Sequence, residues 1–367
     1  MKYQKLPWKI FMAYNRTREF KYWLRICNAP FKSLYFSFDG TVYSCCVNRT
    51  HALGRYPEHT LSEIWNGERK KQLARHINHR DLSLGCQGCQ YYLEKGNFDD
   101  LRAKYYDFPK NNIRFPVFLE FELHNTCNLE CIMCGGDFSS LIRKNREHRP
   151  PLPMVYDDRF VEQLSPFIPY LHRALFAGGE PFLIPVYYSI WEKIIEMNPA
   201  CRIAFQSNGT VLNQKVKDIL ERGRFEVGLS IDSVNKEVYE TIRVNSRMED
   251  VINNARYFSE YCRAQKTDMH ITACPMRINW RGIPDLVNFC NELNAYIRFN
   301  NVWYPPEQAL WNLKSHELHE IRNVLEGYQF DGKGTVADEN RRYYHNFLNQ
   351  LLIWSQEALM REQSINL

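Results

Sequence analysis

The chain has 367 residues, 44 % hydrophobic and 24 % charged, with a formal net charge of +5 and 12 cysteines. That length exceeds a usual single domain and that apolar share fills a sizeable core, so a soluble protein of more than one unit is expected; no run is long enough to span a membrane. The mild charge, without aromatic-basic patterning, argues against nucleic acid as a partner, and twelve cysteines behind an N-terminus lacking an apolar signal core point to the cytoplasm and to metal ligation rather than disulfides.

In chain order, the first 34 residues show no leader-binding pattern. Asp39-Gly40, flanked by Phe and Val, signals a hairpin turn, and residues 62–75 read as a helix whose Arg69-Lys70-Lys71 face is solvated surface. Around them stand Cys45 and Cys46 after the turn and the pair Cys86-x-x-Cys89. Four thiolates suffice to close a [4Fe-4S] cluster, and a structural zinc site is the alternative for the same four. Adjacent cysteines on a regular strand point to opposite faces, so ligation by both Cys45 and Cys46 requires a bend; otherwise Cys27 substitutes or one iron stays open.

From about residue 114 strands and helices alternate, with strands expected at 115–123, 172–176, 202–206, 226–231, 269–277 and 296–303, which is the pattern of parallel βα units. After the first strand comes Cys127-x-x-x-Cys131-x-x-Cys134, three thiolates in eight residues with no fourth beside them. Such a loop holds three irons of a cubane and leaves the fourth open for a cofactor; a zinc knuckle is the plainer reading. Downstream follow Gly178-Gly179-Glu180-Pro181, then Gln206-Ser207-Asn208-Gly209, then Ser230-Ile231-Asp232, each at the end of an expected strand. Residues 142–149 form a basic run near the expected mouth of the site, able to attract an anion. From 305 to 367 the pattern is helical and is expected to cap the core.

These motifs, in this order, resemble the radical S-adenosylmethionine (SAM) superfamily, and the N-terminal cysteine group resembles the twitch half of a SPASM auxiliary-cluster domain, here set before the core. The resemblance implies an α/β fold: a partial (βα)6 TIM-type barrel over 111–305, a twitch-like hairpin and helix domain over 35–110, an N-terminal extension over 1–34 and a C-terminal helical segment over 306–367. It implies a [4Fe-4S] cluster on Cys127, Cys131 and Cys134 whose open iron chelates SAM, and an auxiliary [4Fe-4S] cluster on Cys45, Cys46, Cys86 and Cys89. For SAM it implies Gly178, Gly179 and Glu180 at the amino group, Ser207, Asn208, Ser230 and Asp232 at the ribose, Arg243 at the carboxylate and Met133 beside the adenine, where the family often has an aromatic. Reductive cleavage of SAM then gives a 5'-deoxyadenosyl radical that abstracts hydrogen, with a flavodoxin- or ferredoxin-type protein as electron donor.

For the substrate, period-two alternation puts Glu120, Glu122 and His124 on one face of the first barrel strand, expected to be the lumen; a network with lumen Arg or Lys and direct substrate contact are both open readings. On the fifth strand Cys274 is a candidate hydrogen donor to a substrate radical, core packing being the plainer role. The substrate class expected is amino-acid-derived, peptide or small metabolite, ending in oxidation, cross-linking or epimerisation; a sugar or nucleoside of specialised metabolism is the alternative. An alternative of another class is a zinc-binding interaction protein, which leaves Gly178-Gly179-Glu180 without a role.

Overall fold

The protein was analysed as a computed structural model that describes residues 4–19, 24–99, 101–112 and 114–365. It divides into two compact units, one built from residues 1–125, 152–204 and 221–223 and the other from 126–151, 205–220 and 224–367.

In the first unit the hairpin expected at Asp39-Gly40 joins β1 (Ser33–Ser37) to β2 (Thr41–Tyr43), and β3 (Gly54–Arg55) pairs antiparallel with β2. Gly40 has φ +86, a conformation that glycine adopts without the cost a side chain would bring. β1 also pairs parallel with β4 (Phe118–Glu122), which pairs parallel with β5 (Arg173–Phe176). Hence the hairpin is not a free-standing appendage: its first strand extends the parallel sheet. The helix expected over 62–75 is two, Leu61–Asn66 and Glu68–Asn78, broken at Gly67, whose ψ of 159 is extended. Phe36, Phe121 and Phe176, one from each parallel strand, stack at 5.3 and 4.7 Å, and Phe160 and Trp191 close over them. This apolar layer fixes the register, because a slip by one residue would turn Glu120 and Glu122 into it.

β6 (Arg202–Ser207) lies where the chain passes from the first unit to the second. The second unit holds β7 (Phe225–Ser230), β8 (Met269–Ala273) and β9 (Tyr296–Phe299), paired parallel in that order. Helices Met248–Gln265 and Ile283–Glu292 follow β7 and β8, and Leu229, Ile271 and Ile297 are fully buried. Strand–helix alternation with parallel pairing gives the α/β class of core that the sequence implied, with a helical C-terminus. β8 stops four residues short of the expected 277, because Pro275 has no N–H and the Cys274 N–H donates to the Asp232 carboxylate at 2.7 Å instead of to a neighbouring strand. At the edge, Ile297 N–H donates 2.7 Å to the Asn340 side chain of the last helix, Thr335–Ile365, and the Asn340 amide donates to Asn291 and to the Ala295 carbonyl. That helix also buries Tyr344, Phe347, Leu351 and Trp354. No helix among the described residues is long and apolar enough to cross a membrane.

Candidate functional site

In the second unit the loop after residue 126 carries Cys127, Cys131 and Cys134, and backbone bonds hold it against the stretch after helix Lys236–Ile242: Glu130 N–H to Val244 carbonyl, 3.1 Å, and Ile132 N–H to Ile242 carbonyl, 3.0 Å. Its other side is clamped to the end of β6. Asn208 Nδ2 donates to Asn128 Oδ1 at 2.9 Å, Asn128 donates to Thr210 Oγ1 at 2.8 Å, and Thr210 donates to Asn208 Oδ1 from both its N–H and its hydroxyl. Burial and the neighbouring thiols push Cys134 up to about 12, and burial raises Cys131 against the pull of the Arg243 guanidinium. Thiols in this state release their protons when a metal binds the sulfur.

Of the other expected SAM residues of this unit, Asn208 and Arg243 reach the loop. Arg243 and Asp232, both buried, form an ion pair at 2.6 Å, so the carboxylate assigned to ribose already holds the guanidinium assigned to the SAM carboxylate. Cys274 gives its N–H to Asp232, and burial raises its thiol. Met133, Cys274 and Ile132, partly buried, pack against the apolar cluster of Ile242, Met276, Val302 and Ala309. Ser207 accepts from Gly209 N–H at 3.0 Å, and Ser230 accepts from the Gln206 amide at 2.9 Å. Of the basic run, Arg143 and Arg149 pair with Asp137 and Arg146 with Glu130, so much of its charge is already answered.

Gln206, to which the sequence reading gave no role, joins three polar side chains. Its Oε1 lies 3.2 Å from both the His270 ring and the Thr272 hydroxyl, while its Nε2 donates to Ser230. Gly228 makes this possible: a Cβ there would stand 2.5 Å from Gln206 Oε1 and 2.6 Å from His270 Nε2. By the parallel register Gly228 faces His270 and Ser230 faces Thr272, so these polar groups share one face of β7 and β8, opposite the buried Leu229 and Ile271. Arg298 on β9 lies beside Thr272 in the same register.

In the first unit Gly178 has φ +113, and a Cβ on it would stand 2.8 Å from the His124 carbonyl, which also accepts from Gly179 N–H at 3.1 Å. Glu180 is fully buried, and its carboxylate accepts from Phe182 N–H at 3.3 Å. His124 bonds through its ring to the Leu152 carbonyl at 3.2 Å. On the face opposite the phenylalanine stack, Glu120 accepts from Arg102 and Tyr106, and Glu122 accepts from Arg49 at 3.4 Å. Burial raises the Glu122 carboxyl, with the Arg49 charge opposing it. Of the two open readings for these carboxylates, the arginine network is thus present in the protein itself.

Five cysteines gather in the same unit, and they differ in surroundings. Cys27 accepts from Ala29 N–H at 3.4 Å, Cys45 from Asn48 N–H at 3.4 Å, Cys86 from the Asn48 amide at 3.5 Å, and Cys89 from Ala103 N–H. Burial raises the thiols of Cys27, Cys86 and Cys89, and each is raised further by others of the four. Among the described residues no N–H donor reaches Cys46; burial pushes its thiol up to about 12, Arg102 opposes that, and Glu120 and Cys45 add to it. Gly85, at φ +81, packs its bare Cα against the Asn48 side chain and so keeps that donor aimed.

Both thiol groups fit the clusters the resemblance implies in ligand type: soft ligands in sets of three and four, with N–H donors on Cys127, Cys131, Cys45, Cys86 and Cys89 and no disulfide among the cysteines. Among the described residues no three His, Cys, Asp or Glu side chains converge as around one shared ion.

Comparison with known proteins agrees. Residues 121–289 match the radical SAM superfamily and residues 27–90 an iron-sulfur cluster-binding domain, SPASM. A probable GTP 3',8-cyclase of Methanocaldococcus jannaschii is 23 % identical over 180 residues, 49 % of this chain and 57 % of that protein. The GTP 3',8-cyclase of Crocosphaera subtropica is 21 % identical over 234 residues, 61 % of this chain and 63 % of that one. The chain thus spans less than two thirds of the length of these relatives. Among solved structures, Streptococcus suis SuiB bound to S-adenosylmethionine aligns with a TM-score of 0.43 at 16 % identity, covering 76 % of this chain and 64 % of that one.

Proposed function

We propose that this chain, whose residues 121–289 match the radical SAM superfamily and whose residues 27–90 match an iron-sulfur cluster-binding domain, is an enzyme that abstracts hydrogen from a polar small-molecule substrate. The observation that carries the reading is the clamped Cys127, Cys131 and Cys134 loop with no fourth cysteine in it. When bound there, the cluster and SAM together supply a 5'-deoxyadenosyl radical. The chain's own residues do the rest: Asn208 and Thr210 fix the start of the loop, Met133 and Cys274 offer apolar surface to the adenine, and Ser207 and Ser230 offer hydroxyls to the ribose. The resemblance assigns the SAM amino group to Gly178, Gly179 and Glu180, where side-chain-free backbone and a carboxylate acceptor are what such a contact would need. Arg243 has one strong partner in Asp232 and keeps further N–H groups for a carboxylate.

The auxiliary cluster is assigned to Cys27, Cys45, Cys86 and Cys89, the four whose sulfurs accept N–H donors, in place of a set containing Cys46. For the substrate, Gln206, Ser230, His270 and Thr272 form a polar surface with fixed donors and acceptors, suited to hydroxyl, amide or ring-nitrogen groups. Curated relatives named GTP 3',8-cyclase favour the nucleoside alternative over a peptide. Oxygen-sensitive clusters and thiols kept reduced suit the cytoplasm. The test is anaerobic turnover of the iron-loaded protein with SAM and dithionite. Formation of 5'-deoxyadenosine, with deuterium carried into it from a labelled nucleoside, supports the reading. Iron-loaded, reduced protein that leaves SAM intact refutes it.

A further inference from the structure

At the cysteine loop, two side chains among the described residues aim N–H donors at sulfur, and the protein holds both rigidly. Asn208 Nδ2 stands 3.8 Å from Cys127 Sγ, and its orientation is settled by Thr210, whose two donors can only meet the amide oxygen. Arg243 Nη1 stands 3.8 Å from Cys131 Sγ, while its Nε is fixed by Asp232 at 2.6 Å. Asp232 is itself held from three sides: the Cys274 N–H on its other oxygen at 2.7 Å, the Arg243 side chain, and Asn279 on its backbone carbonyl at 2.9 Å. All three side chains are buried, Asn208 at 6 %, Arg243 at 8 % and Asp232 at 1 % exposure, so bulk water screens them little.

Reduction of a thiolate-held iron cluster adds one negative charge that spreads onto its sulfurs. A donor aimed at a sulfur stabilises the reduced form more than the oxidised form and raises the potential; a carboxylate beside it does the reverse. Because these groups are already oriented, their effect needs no rearrangement at the moment of electron transfer. We propose that Asn208 and the Asp232–Arg243 pair are positioning residues that set the reduction potential of the cluster held by Cys127, Cys131 and Cys134, with Asn208 and Arg243 raising it and Asp232 restraining Arg243. The proposal rests on the assignment of a cluster to these three cysteines. Through it the donors would govern how readily the protein accepts an electron, before any SAM or substrate chemistry.

Two isosteric exchanges of amide and carboxylate give opposite signs. Asn208→Asp keeps the acceptor for Thr210 but replaces the donor on Cys127 with a negative charge. Asp232→Asn keeps the shape beside Arg243 but leaves the guanidinium uncompensated. The measurement is an anaerobic redox titration of the reconstituted full chain by electron paramagnetic resonance, following the signal that SAM perturbs. Asn208→Asp is expected to lower, and Asp232→Asn to raise, the reduced-to-oxidised ratio at fixed potential by about tenfold, ~59 mV for one electron. Shifts below about threefold in both variants, or two shifts of the same sign, overturn the inference while leaving the cluster assignment standing. A wild-type protein with no reducible, SAM-sensitive signal overturns both. Where Asn208→Asp fails to take up iron, the upward shift in Asp232→Asn decides alone; failure of both to take up iron assigns these residues to folding of the loop and overturns the inference.

Discussion

At the scale of single residues, the five N-terminal cysteines separate by what touches their sulfur. Cys27, Cys45, Cys86 and Cys89 each accept an N–H, while Cys46 lies nearest in charge to Arg102 and Glu120. We therefore expect Cys46→Ser to retain roughly eight irons per chain on anaerobic reconstitution, and Cys27→Ser to fall to roughly four. The reverse outcome would return Cys46 to the ligand set. The sequence displayed the cysteines but not this distinction, because Cys45 and Cys46 are neighbours in the chain and only tertiary contacts tell them apart. Gln206 was hidden for a similar reason: an amide in a strand is unremarkable until Ser230, His270 and Thr272 meet it from two other strands.

Among elements, the turn after β5 and the caps of helices carry sharper consequences. Gly178 combines φ +113 with a Cβ position 2.8 Å from the His124 carbonyl, so Gly178→Ala meets both backbone strain and a clash. A loss of about 1–3 kcal/mol in denaturant unfolding is expected, together with weakened SAM binding measured by calorimetry on the iron-loaded protein. Asp157 caps the helix Asp158–Leu164, accepting from Phe160 N–H at 3.0 Å and from the Tyr56 hydroxyl at 2.5 Å. The Tyr56 hydrogen bond, with help from Phe160 N–H, holds its carboxyl below the ordinary value despite some burial. Asp157→Ala should cost about 1 kcal/mol at pH 7. Since the folded value is the lower one, this contribution is complete above the ordinary carboxylate range and fades as pH falls through the depressed value; the gap between variant and wild type in unfolding midpoints should close there. Strand and helix order were legible from period and turn residues, but strand ends were not. β8 ends where Pro275 and the Asp232 side chain take its next N–H, a contact 42 residues distant that no local pattern carries.

For the molecule as a whole, the two thiol groups belong to different compact units, and each carries its own donors and its own clamping bonds. Replacing Cys127, Cys131 and Cys134 together by Ala should therefore remove about half of the iron and leave a cluster absorbance that SAM does not alter. The C-terminal helix was legible as apolar periodicity, yet its closing role rests on one polar side chain that periodicity ignores. Asn340 is fully buried and answers three backbone or side-chain groups at once. Asn340→Leu keeps the bulk but strands the Ile297 N–H, and a loss of about 1–3 kcal/mol in thermal or denaturant unfolding is expected.

That asparagine also governs what the protein does when damaged. β9 has a partner strand on one side only, and the Asn340 amide occupies a hydrogen-bonding position on the other. A protease cut in the Gly332 to Gly334 stretch, followed by loss of the final helix, would bare a strand rim able to stitch itself onto a second copy. Nicked protein should then run as dimers and larger species on gel filtration, while the intact chain, its selvedge sewn shut, does not.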